Sequence, residues 1–315
     1  MKKILFVLFI THGFQVSFGQ KNAEIFTTDI DHFWRAYDSI QQTADTVKQL
    51  HFIQSLYLDN ASEGLKAFMK LRGHTAKRHL NNIHAYPKFW KSIRQNTEAI
   101  KSHTAEIERI IAHFKKIYPR FKPVKIYFTI GVFNSGGTAS KGKVLIGAEI
   151  ACADKETDAS ELNQWLQNVF RTQGDLTALV AHELGHTQQK TGTAESLLGQ
   201  SIKEGACDFL AELMGKPISS PYMTYGKANE KYLWDAFKKD MNGRDFSKWL
   251  YNGLNAPNAV ADLGYFIGYK ICQSYYKNTL NKKRAIRKII QLKYDHKSVI
   301  KFLIKSQYND APKQL

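Results

Sequence analysis

The sequence is short of several things, and each shortage excludes something. Only three cysteines occur, Cys152, Cys207 and Cys272, so no disulfide framework can staple a small loop-rich fold; Cys152 and Cys272 could close one bridge at most. Seven prolines and 20 glycines in 315 residues exclude a collagen-like or low-complexity chain. Long hydrophobic runs are missing too. The leading one, Ile4 to Ile10, stops far below the ~20 residues of a spanning helix, and no later stretch replaces it, so no membrane span is expected. Acidic groups are scarce, with 28 Asp and Glu against 45 Lys and Arg and a formal charge of +17.

What remains is a globular composition, 43% hydrophobic and 12% aromatic, enough to bury the core of one large domain or two ordinary ones. Lys2 and Lys3 precede the apolar run, and Ser17 and Gly19 are small residues placed for cleavage before Gln20. That pattern predicts a secretory signal peptide over residues 1–19 and an exported, periplasmic or extracellular chain. No Cys stands at the cleavage point, so a lipid anchor is not expected. Without Lys2 and Lys3 the charge is still +15, which favours anionic surfaces or acidic glycans as partners but sets association, not chemistry. The cluster Lys282, Lys283, Arg284, Arg287, Lys288 has no interleaved aromatic platform, so it reads as a solvated helix face and no specific nucleic acid is expected.

Residues 20–118 carry apolar positions at helical spacing, ending at Pro119, and form a helical N-terminal region packed on a core of residues 119–315. Val124, Ile126, Phe128 and Ile130 then alternate with polar or amphipathic neighbours as a strand does. Asn134 to Thr138 reads as a turn, and Lys143 to Ile150 as a second strand able to pair back on the first. Gly136 to Ser140 offers either a strand edge that aligns an extended peptide or a plain hairpin turn. From Asp175 helical period dominates, with helices expected near 175–190, 201–214, 228–241, 260–278, 282–292 and 296–306. The fold class is α+β, mostly helical, with a small sheet.

The informative stretch is His182-Glu183-Leu184-Gly185-His186, which falls in a helical pattern capped by Asp175. Histidines at i and i+4 lie about 40° apart around a helix, so both imidazoles can reach one ion. Glu183, about 100° round from His182, can reach the open side of that ion without ligating it. A catalytic zinc needs a third protein ligand. Glu204 supplies it in the segment Lys203 to Leu213, and Asp208 one turn on accepts the free N–H of a ligand histidine. The bland alternative is an acidic stripe on a surface helix; Gly205, Cys207 and Ala211 favour instead the close approach of a second helix. Cys207 could be read as a ligand or redox switch, but it lies about 60° round the helix from Glu204, on the other side from Asp208, and the simpler reading is a small packing residue. His74, His79, His84, His103 and His113 lack ligand spacing and read as surface or packing residues.

This arrangement, His-Glu-x-x-His with Glu-x-x-x-Asp beginning 18 residues after the second histidine, resembles the gluzincin (thermolysin-like) metallopeptidases. The resemblance implies a zincin-like core, one Zn2+ held by His182, His186 and Glu204, Glu183 as general base, Asp208 as the partner of His182, and a peptide or protein substrate. Over most of the chain the sequence also resembles a bacterial family of predicted zinc-dependent proteases related to a gliding-motility lipoprotein. Tyr127 to Thr138, Val144 to Ile150, the two metal motifs and Gly264 to Lys270 carry that likeness. The oxyanion of peptide hydrolysis needs a donor besides the metal. Tyr265 and Tyr269, in the glycine-rich helical stretch, are the candidates, against the alternative of packed core tyrosines. The function expected is zinc-dependent peptide-bond hydrolysis. The competing expectation is a non-catalytic zinc-containing envelope component related to gliding motility.

Overall fold

The computed structural model describes residues 23–172, 175–256 and 260–310; the expected signal segment 1–19 lies outside the described residues. The chain runs β1 (Ala23–Phe26), α1 (Thr28–Gln41), α2 (Thr46–Phe52) with a π-helical turn (Ile53–Leu58), α3 (Glu63–Arg72), α4 (Ala76–Ala85), α5 (Pro87–Glu98), a 3-10 stretch (Ala99–His103) and α6 (Thr104–Ile117). The sheet strands β2 (Val124–Thr129), β3 (Gly137–Ser140) and β4 (Lys143–Gly147) follow, then α7 (Ala148–Ala151), α8 (Gln164–Thr172), α9 (Leu176–Gln188) and α10 (Leu197–Leu213). Last come α11 (Pro221–Ala228), α12 (Glu230–Asp240), α13 (Leu263–Asn278), α14 (Lys282–Ile290) and α15 (His296–Ser306). The class is α+β and mostly helical, as the periodicity indicates.

The sheet differs from the expected pairing. Its order is β1-β2-β4-β3, with β1 and β4 both parallel to β2 and only β3 antiparallel to β4. The reversal therefore comes at Lys141 and Gly142, whose φ of 46° and 76° give the left-handed pair of a tight hairpin, and not at Asn134 to Thr138. Part of that expected turn is the start of β3. The crossover from β2 to β3 is held by Glu149, fully buried, whose carboxylate accepts the Gly131 and Phe133 N–H groups at 2.7 and 3.1 Å. Burial raises the Glu149 pKa to about 7. The strand β1, four residues beside α1, and the helices α8 and α11 were not legible as separate elements.

Two hydrophobic cores share α10. In one, Phe33, Trp90 and Phe114 of the N-terminal helices pack with Ile126, Val180, Leu184, Leu210 and Ala211. In the other, Ile202, Ala206 and Phe209 pack with Trp234, Phe266 and Phe302. A helix with a core on either side has no solvated face along most of its length, so Glu204 and Asp208 are buried rather than forming a surface stripe. The backbones of α10 and α13 touch. A Cβ on Gly205 would sit 2.0 Å from the Tyr269 nitrogen, and one on Gly268 would sit 1.7 Å from the Ser201 carbonyl oxygen. The three cysteines are free thiols.

Candidate metal centre

Asp175 starts α9 by accepting the Thr177 N–H at 2.8 Å, and the helix is then buried on nearly every face. Ser196 starts α10 likewise, accepting the Gly199 N–H at 3.2 Å. Helical period puts His182 and His186 one above the other, ring centroids 4.8 Å apart, and the neighbouring helix brings Glu204 to them. Its Oε2 lies 3.0 Å from His186 Nε2 and 3.7 Å from His182 Nε2, and the two Nε2 atoms are 3.1 Å apart.

The outward hydrogen bonds fix which ring atoms carry protons. His182 Nδ1 donates to Asp208 Oδ1 at 2.7 Å, and Asp208 Oδ2 also accepts the Tyr222 hydroxyl at 3.0 Å. His186 Nδ1 donates to Gln189 Oε1 at 2.9 Å, the amide being oriented by Gln189 Nε2 donating to the Lys203 carbonyl at 2.7 Å. In the neutral rings both Nε2 atoms carry lone pairs. Two lone pairs and a carboxylate oxygen thus converge on one point, which is repulsive unless a metal ion or added protons sit among them. Four-coordinate zinc with bonds of ~2.1 Å sets its ligand atoms about 3.4 Å apart; the three spacings here straddle that value, so donor set and geometry both fit the ion.

The acid–base directions agree. Burial alone would hold His182 and His186 down, but Asp208 and Glu204 raise the first well above its usual range and Glu204 raises the second. Burial opposes the Glu204 charge as well, yet the two rings hold its carboxyl well below normal. The pocket is built to hold positive charge. Cys207 Sγ also lies within 4.8 Å of a ring nitrogen of each histidine. With no cation beside it, burial pushes its thiol well up. It fills the α9–α10 contact, where a Cβ on Gly185 would come 2.9 Å from its sulfur.

Glu183 is buried, and its pKa is raised chiefly by that burial, against the pull of the two histidines. The edge strand β3 crosses directly over it: a Cβ on Gly137 would lie 2.9 Å from Glu183 Oε1, so glycine lets the strand pass without displacing the carboxylate.

The two candidate tyrosines part company. The Tyr265 ring lies stacked on His182, centroids 6.1 Å apart and planes 26° apart, beside the centre. Tyr269 does not face it. Its hydroxyl donates to Glu212 and accepts from Gln273 Nε2 at 2.7 Å, and Glu212 is eight residues along α10 from Glu204, about 12 Å of helix rise away. Tyr269 is a packing residue of the α10–α13 contact. Sequence reasoning missed Tyr251, whose hydroxyl donates to Glu204 Oε1 at 2.6 Å, and Gln200, which donates to the same oxygen at 3.0 Å. These leave Oε2 alone to face the histidines. Gln200 lies one turn before Glu204, a spacing that was available as a signal; Tyr251 lies in a loop with φ 58° and gave none.

Comparison with known proteins adds a family. The model for the gliding motility protein GldB matches residues 18–310. The chain belongs to this family. That description names motility and no peptidase activity. No curated protein and no solved structure matches. No helix among the described residues is long and apolar enough to cross a membrane.

Proposed function

We propose that the chain is an exported envelope protein that holds one zinc ion through His182, His186 and Glu204 and hydrolyses peptide bonds with Glu183 as general base. The observation that carries the metal is the meeting of two Nε2 atoms and a carboxylate oxygen within 3.0–3.7 Å of one another. A bound zinc supplies Lewis acidity at that point. The chain's own groups do the rest. Asp208 and Gln189 fix the two tautomers, Glu183 takes a proton from the attacking water and returns it to the leaving amine, and Tyr265 stands beside His182 as donor to the oxyanion. The edge of β3 over Glu183 supports an extended substrate aligned by main-chain hydrogen bonds.

A second reading has its own support. The family match spans residues 18–310 and taken alone favours a motility component without catalysis, in which the same ion is structural or vestigial. The presence of Glu183 against the centre argues the other way, since a structural site needs no water-activating carboxylate. Metal analysis and a peptide-library hydrolysis assay on the native chain and on Glu183→Gln separate them. One zinc per chain in both proteins, with turnover only in the native one, supports the hydrolase. Zinc in both with no turnover in either supports the component, and no zinc in the native chain sinks both.

A further inference from the structure

Charge is not spread evenly over this molecule. Between residues 277 and 305 there are ten Lys and Arg and one acid, Asp295. That segment alone contributes +9 of the formal +17, from less than a tenth of the chain. All ten cations are exposed, and none forms an ion pair with a described residue, whereas Lys216, Lys231, Lys238 and Lys270 all do. Asp295 caps α15 by accepting the Ser298 N–H. The nearby Glu195 accepts the His296 N–H, so both local acids are committed to one helix start.

The densest part is α14 and the turn before it. Ala285, Ile286, Ile289 and Ile290 bury one face of α14, leaving Lys283, Arg284, Arg287 and Lys288 exposed on the other. At the tip of the preceding turn Leu280 is 100% exposed, flanked by Lys277 and Lys282. Lys282 donates to the Tyr276 and Lys277 carbonyls at 2.8 and 3.1 Å but has no acidic partner among the described residues. A fully exposed Leu among cations without ion pairs suits neither a nucleic acid duplex nor an acidic glycan, because neither offers it an apolar phase. An anionic lipid surface offers both parts: headgroup phosphates for the cations and the acyl boundary for the Leu.

We propose that the Leu280 turn and the exposed face of α14 dock this protein onto an anionic bilayer surface. The attachment is peripheral and reversible, and independent of the metal centre. Each cation near such a surface strengthens binding about fivefold, equivalent to about 1 kcal/mol, and the attraction is screened by salt.

The test uses the chain from Gln20 onward, which contains every described residue and lacks the apolar leader that would itself bind lipid. Co-sedimentation is measured with phosphatidylcholine vesicles, with and without ~30 mol% phosphatidylglycerol, at ~0.05 and ~0.5 M NaCl. Binding is expected only with the anionic lipid at low salt. It should fall at least a hundredfold in Arg284→Glu/Arg287→Glu, several-fold in Leu280→Ser, and little in Lys66→Glu/Lys70→Glu, an equal charge change on α3. Equal loss in the two charge variants, no effect of Leu280→Ser, or tighter binding to duplex DNA than to the vesicles overturns the proposal.

Discussion

His79 gives the most quantitative test of the packing. Its imidazole is 1% exposed, edge-on to the Tyr57 ring at 5.3 Å and to the His74 ring at 5.4 Å, and neither of its nitrogens has a hydrogen-bond partner. Burial, with the nearby His74 and Arg78 adding to it, lowers its pKa from 6.5 to about 3. The folded protein therefore keeps His79 neutral while the unfolded chain takes up a proton below pH 6.5, so stability is complete above that pH and declines as acid is added. Between pH 8 and pH 5 the loss from this residue is about 2 kcal/mol. His74, lowered to about 4, loses a similar amount. Glu149, raised to about 7, works in the opposite sense: its folded form holds a proton that the unfolded chain releases, so it adds about 2.5 kcal/mol over the same drop in pH. The wild-type profile is thus a partial cancellation, and the informative measurement is a difference. Urea unfolding of the wild type and of His79→Phe at both pH values should show the variant losing ~2 kcal/mol less on acidification. Parallel losses in the two proteins would mean that His79 is not a buried neutral base.

Two further substitutions probe the centre and its scaffold. Tyr251→Phe removes the 2.6 Å hydrogen bond to Glu204 Oε1 and leaves Gln200 in place, so zinc affinity should fall about tenfold by chelator competition while metal-free stability falls by ~1–2 kcal/mol; unchanged affinity would show that the phenol does not orient the carboxylate. Gly205→Ala places a Cβ 2.0 Å from the Tyr269 nitrogen, and because backbone cannot yield as a side chain does, denaturant unfolding should show a loss of ~3 kcal/mol or more together with weakened zinc binding.

What the sequence made legible, and what it hid, divides along one physical line. Relations within a helix follow from its pitch, so the pairing of His182 with His186 and of Glu204 with Asp208 could be read directly. The meeting of the two pairs could be inferred only because Gly205, Cys207 and Ala211 signalled a close helix neighbour. Relations between elements that are not regular left no period to read. Tyr251 reaches Glu204 from a loop, and β1 joins the sheet through four residues, Ala23 to Phe26, too few to alternate visibly. The parallel pairing of β4 with β2 was hidden because β4 inserts between β2 and β3, and its one local sign was the Lys141-Gly142 pair. Tyr265 and Tyr269 show the limit of period itself. They share a face of α13 by spacing, yet one ring stacks on His182 while the other hydroxyl is spent on Glu212, because crossing helices diverge and a displacement of one turn changes which residues a side chain can reach. The donor that the proposed oxyanion needs besides the metal is therefore to be sought among groups that touch the histidines, and Tyr265 meets that condition where Tyr269 does not.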